Sequence, residues 1–135
     1  METIDTKSFE NAINSLNEIL QRYSREYKDI AIRDAVIQRF EYTYSLALKM
    51  IKRFFALSAF EKENLDGMTF NEMIRTANRM NILRSNLEKW DIYRQKRNLT
   101  SHTYDENIAQ DVITIIPDFK TEAEFLLEKI KERLI

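Results

Sequence analysis

The sequence predicts an all-α protein, an antiparallel bundle of about five helices. Three observations carry this. The 135 residues include one Gly and one Pro, too few to supply the turns a sheet needs. Apolar residues recur at intervals of three and four through most of the chain, the period of an amphipathic helix. The one β-branched run, Val112-Ile113-Thr114-Ile115-Ile116, has no second strand candidate to pair with and is read as helix.

The elements follow in order. Phe9, Ala12, Ile13, Leu16, Ile19, Leu20 and Tyr23 form one stripe, predicting a first helix over about residues 6–26, capped by Asp5 or Thr6. A longer helix is expected from near Asp29 to about Phe60, with Val36, Ile37, Phe40, Tyr44, Ala47, Leu48, Ile51, Phe54 and Phe55 inward. The polar stretch 61–67, which holds the only Gly, reads as a loop. Thr69 and Glu72 then fit a capping box, the Thr hydroxyl taking one orphan N–H and the Glu reaching back. Phe70, Met73, Ile74, Ala77 and Met80 face inward on the third helix. Leu83, Leu87, Trp90 and Tyr93 belong to a fourth, fading near Leu99. The fifth is expected from near Thr103 towards Leu134, kinked or split at Pro117, which removes one helical hydrogen bond and clashes with the preceding turn.

The length suits one domain over residues 1–135, large enough to bury a core without staples. No run of 18 apolar residues is present, so no membrane span is expected, and the cytoplasm is the expected location. The chain has no Cys and one His, which argues against a zinc site. The shortage of Gly excludes the phosphate-cradling loops that need several. Twenty-one basic and 22 acidic residues leave a net charge of −1, so a nucleic acid partner would depend on a local basic patch.

Residues 94–106, RQKRNLTSHTYDE, offer such a patch. Arg94, Lys96 and Arg97 come with no acid until Asp105, followed by the only His and a Tyr two residues on. On one continuous helix, residues five apart diverge by roughly 140°, so Arg97 and His102 converge only if the helix breaks between them. Thr100 and Ser101 favour a break, because their hydroxyls compete for backbone groups. Thr103 and Glu106 fit a second capping box, which would put Tyr104 at the first helical position. His102 then sits in a tight turn before a helix N-terminus, where a phosphate would meet backbone N–H groups, Arg97 and an imidazole, opposed by Asp105 and Glu106.

Histidine moves protons near neutral pH, and arginine grips phosphate through two parallel hydrogen bonds. The pair suits RNA cleavage without a metal, in which a ribose 2′-OH attacks the adjacent phosphate, assisted by a base and an acid. One His per chain supplies both groups only in a twofold dimer. The plainer readings are a surface or capping His102, a half-buried aromatic Tyr104 and solvated charges at Arg94, Lys96 and Arg97.

RNLTSHTY, residues 97–104, resembles the Arg–four residues–His motif of HEPN domains in the variant with Tyr two residues after the His; Asn98 matches the polar residue that follows the Arg. Gln38-Arg39-Phe40-Glu41-Tyr42-Thr43-Tyr44 with Lys49 downstream, and Thr69 to Ala77, resemble the branch named nucleotidyltransferase substrate-binding proteins. Leu48 departs from the pattern, standing where relatives often have Trp. The resemblance implies a HEPN-like bundle with a four-helix up-and-down core that dimerises to form one cleft. It implies a toxin ribonuclease with Arg97, His102 and Asn98 in the catalytic site and Arg94 and Lys96 contacting RNA. It implies no cofactor. Its partner would be a minimal nucleotidyltransferase that transfers AMP to Tyr104 as antitoxin. The older family name implies instead a non-catalytic subunit that docks the transferase and presents a substrate. This chain itself lacks the Gly-Ser loop and Asp-x-Asp pair of a transferase.

Overall fold

The computed structural model describes residues 4–58 and 65–133. Among the described residues the α-helices with both ends defined are, in order, α1 (Lys7–Arg25), α2 (Ile30–Leu57), α3 (Phe70–Arg79), α4 (Leu87–Asn98) and α5 (Glu106–Arg133), with a short 3₁₀ turn, Thr100–His102, between α4 and α5. No strand occurs among the described residues, and residues 112–116 are helical.

The four longer helices alternate in direction. On α1 and α2, Thr43 donates to the Ala12 carbonyl and Arg39 to that of Ser15, so one index rises as the other falls. The α1–α5 pairs Glu10–Lys131 and Asn17–Lys120 run antiparallel too. So do the α4–α5 pairs Lys96–Asp111, Tyr93–Asp118 and Trp90–Glu122. This is the up-and-down core expected, with α3 laid against α2 and α4. Where these helices meet, the rings of Phe40, Tyr44, Trp90, Tyr93 and Phe119 interlock; the Phe40–Phe119 and Tyr93–Phe119 edge-to-face pairs are both 5.2 Å apart, the arrangement favoured by aromatic quadrupoles. Burial raises the Tyr44 hydroxyl to a pKa of about 12.

The caps show how the ends are set. Asp29 begins α2 by accepting from the N–H groups of Ala31 and Ile32. At α1, Asp5 accepts from Lys7 N–H, while the Thr6 hydroxyl donates to Glu10; Asp5, not Thr6, supplies the side-chain acceptor. Thr69 accepts from Glu72 N–H, the first half of the predicted box. The predicted end of α2 near Phe60 and residues 61–64 of the predicted loop lie outside the described residues. After α3, Asn81 takes φ 61°. This left-handed residue lets Asn81 N–H reach the Asn78 carbonyl and Ile82 N–H reach that of Ala77, a Schellman close with Ile82 buried beneath it.

Pro117 does not split α5. A proline inside a helix costs about 3 kcal/mol. The buried Ile113, Ile116, Phe119 and Leu126 on its two sides each contribute about 1.5–3 kcal/mol, so packing holds the helix continuous.

Candidate functional site at the α4–α5 junction

The predicted break is present. The α4 helix ends at Asn98, and the chain makes a single 3₁₀ turn before α5. Thr100 is the reason for the tight turn: it is 6% exposed, its hydroxyl donates to the Arg97 carbonyl at 2.8 Å and it accepts from Arg97 Nη1 at 3.1 Å. The hydroxyl competes for the helix's last carbonyls and at the same time holds the guanidinium of the residue that precedes the break.

The start of α5 differs from the expected box. Thr103 is not the cap, and Tyr104 is not the first helical residue. The Thr103 hydroxyl donates to the Thr100 carbonyl and belongs to the turn. Asp105 caps α5 instead, accepting from Asn107 and Ile108 N–H at 2.9 and 3.3 Å. Asp ranks above Thr as a cap, and that ranking was the signal available in the sequence. Two N–H groups expected to be open to a phosphate are therefore already taken.

His102 is exposed, and its ring stands 6.2 Å from that of Tyr104, tilted to it by 67°. Tyr104 is 86% exposed, so it is not the half-buried aromatic of the plainer reading. Asn98 is exposed at the end of α4. No hydrogen bond joins Arg97 to His102 among the described residues.

The basic patch is less open than its sequence suggests. Lys96 Nζ lies 2.8 Å from Asp111. Arg97 Nη2 is 3.8 Å from Glu41 of α2. Arg94, also exposed, stacks its guanidinium 4.6 Å above the Phe70 ring of α3, a cation–π contact. Sequence reasoning missed Glu41, because its partner lies on another helix far along the chain. Among the described residues, no group of three or more His, Cys, Asp or Glu side chains is placed to hold a metal, and no helix is long and apolar enough to cross a membrane.

Behind the site, α4 is fixed to α5 by two carboxylates. Glu122 is fully buried and accepts from Arg84 and Ser85 N–H and from Trp90 Nε1 at 2.8, 2.9 and 3.1 Å. Asp118 accepts from Tyr93 Oη and Arg84 Nη2. Burial works to raise the Asp118 pKa, but these donors outweigh it and hold it below the usual carboxylate value.

Known proteins resemble this chain over most of its length. A probable ribonuclease HepT from Haemophilus influenzae is 40% identical over 97 residues, covering 72% of this chain and 66% of the relative, just under two thirds of its length. The solved structure of HI0074, also from Haemophilus influenzae and described as revealing the fold of a substrate-binding domain of a nucleotidyltransferase, superposes with a TM-score of 0.87 at 32% identity, covering 94% of this chain and 99% of that one. A crystal structure from Thermus thermophilus superposes with a TM-score of 0.68 at 31% identity over 90% of this chain and 98% of the other. With residues 4–132 matching the family described as nucleotidyltransferase substrate binding protein like, the chain belongs to that family.

Proposed function

We propose that this chain is a metal-independent endoribonuclease toxin, active as a dimer whose two α4–α5 junctions face one cleft, and neutralised by a partner minimal nucleotidyltransferase. The observation that carries the reading is an exposed imidazole at His102 just beyond a helix break whose Thr100 holds the guanidinium of Arg97 in place. The name of the Haemophilus relative, a probable ribonuclease, supports it.

In the reaction, one His102 accepts the proton of a ribose 2′-OH as its oxygen attacks the adjacent phosphorus. The P–O bond to the 5′-oxygen breaks, and that oxygen takes a proton from the His102 of the second copy, leaving a 2′,3′-cyclic phosphate and a free 5′-OH. Arg97 stabilises the charge growing on the non-bridging oxygens. The exposed amide of Asn98 binds a neighbouring oxygen, and Arg94 and Lys96 hold the flanking backbone. For Lys96 this means exchanging Asp111 for phosphate, a modest cost for a surface ion pair.

Neutralisation is adenylylation. The Tyr104 hydroxyl oxygen attacks the α-phosphorus of ATP in the partner's site, the bond to pyrophosphate breaks and the phenolic proton leaves. The 86% exposure of Tyr104 makes it reachable, and the added nucleotide occludes the neighbouring imidazole without a change of fold.

A second reading, a non-catalytic subunit that docks the transferase and presents a substrate, draws on the ion pairs that occupy Lys96 and Arg97 and on the description of HI0074. Expression of the chain alone beside His102→Ala separates the two. Growth arrest and RNA cleavage by the wild type, lost in the variant, support the ribonuclease; no arrest by either supports the docking subunit. Tyr104→Phe should stay toxic and take no adenylyl group from the cognate transferase with ATP and Mg²⁺.

A further inference from the structure

Arg33 lies on the first turns of α2 and is 6% exposed. A buried guanidinium is expected to have its donors satisfied. This one is not: Nε is buried and has no hydrogen-bond partner among the described residues. Among the described residues its terminal nitrogens reach only Asp34 at 3.4 Å and Glu106 at 3.9 Å. Those carboxylates belong to side chains 59% and 78% exposed, so both contacts are long, solvent-screened and easily exchanged.

Arg33 also lines two adjoining cavities of about 320 and 420 Å³. They share Ile30, Arg33 and Glu106 and form one trough between the N-termini of α2 and α5. Tyr104 and Thr103 line one end; Tyr27 and Lys28 line the other. Ile30 and Tyr27 are 58% and 60% exposed, an apolar side chain and an aromatic ring at the same place, with Lys28 Nζ 5.9 Å from the centre of that ring. The Asp29 carboxylate also lines the trough; it accepts from the first N–H groups of α2, whose positive helix end offsets part of its charge.

We propose that this trough is a nucleoside monophosphate site and that its occupant is the nucleotide carried on Tyr104. The proposal rests on the reading of Tyr104 as the modified residue. The phosphodiester carries one negative charge and displaces Asp34 and Glu106 from Arg33, whose planar fork binds phosphate oxygens through parallel, charge-assisted hydrogen bonds. The base lies against Ile30 and Tyr27, and Lys28 faces the ribose end. The trough keeps the nucleotide ordered beside the α4–α5 junction, so the modified state is held and not merely tethered.

The test uses free AMP as the probe and the full, unmodified chain, followed by amide NMR. Saturable shifts confined to residues 27–34 and 103–106 are expected, about tenfold weaker in binding for Arg33→Gln. Glu106→Gln and Asp34→Asn remove competing anions and should bind AMP more tightly; these variants decide the matter if Arg33→Gln does not fold. Absence of shifts at those residues, affinity unchanged in a folded Arg33→Gln, or affinity unchanged in both carboxylate variants overturns the trough. AMP bound there with no adenylyl transfer by the partner keeps the trough and removes the modification reading. Transfer to Tyr104 with no shift at residues 27–34 does the reverse.

Discussion

Glu122→Gln gives the sharpest test of how the site's scaffold is held. The Glu122 carboxylate is fully buried on α5 and accepts three hydrogen bonds: Oε1 serves Ser85 N–H and Trp90 Nε1, and Oε2 serves Arg84 N–H. In the variant the amide oxygen retains the first two. The amide nitrogen then faces Arg84 N–H, donor against donor. An unsatisfied buried donor and the loss of charge assistance from the remaining bonds together cost about 2–3 kcal/mol. Domains unfold with an entropy of about 2.1 cal/mol/K per residue, so for 135 residues the variant should melt about 7–11 °C lower. Circular dichroism reads the melting. Trp90 is the only tryptophan, so its emission reports the lost contact directly. A fall of less than about 2 °C with unchanged emission would refute the reasoning that Glu122 ties the α3–α4 loop and α4 to α5.

Thr100→Val keeps the shape of the turn but removes the hydroxyl that holds Arg97; RNA cleavage should fall about tenfold through mispositioning, and full activity with normal stability would show that Arg97 needs no such support. Asp118 has a folded pKa below its unfolded value, because its Tyr93 and Arg84 donors outweigh burial. Its contribution is therefore complete above the unfolded carboxylate pKa and lost as pH falls through the folded one; Asp118→Asn should flatten that acid limb in denaturation curves, and an unchanged limb would contradict the assignment. Small-angle scattering of the purified chain should give a dimer with the two His102 residues near one another, and a monomer would remove the two-histidine mechanism.

The helices were legible because burial repeats with the helical period: Phe9, Leu16, Phe40, Ile51, Ile74 and Trp90, all on the sequence-derived stripes, are fully buried. Local chemistry was legible at Thr69, where one cap dominates, and the start of α2 was legible to within a residue of Asp29. It failed at Thr103, where two caps compete within three residues and the stronger acceptor, Asp105, wins. Pro117 does not split α5, because tertiary burial on both sides of it holds the helix continuous. The helix break at the candidate site could be read from Thr100 and Ser101. Glu41 beside Arg97, Asp111 beside Lys96 and Phe70 under Arg94 could not, because each depends on how separate helices pack.

In the proposed reaction, cleavage belongs to His102 and Arg97. The most direct measurement is cleavage of a defined RNA by purified wild-type chain and by folded His102→Ala, each with a metal chelator present. Cyclic-phosphate ends are expected from the wild type, and a rate about 10²–10⁴-fold lower in the variant, the range for loss of a positioned acid–base group. Equal cleavage by the two proteins, or none by the wild type, would contradict it.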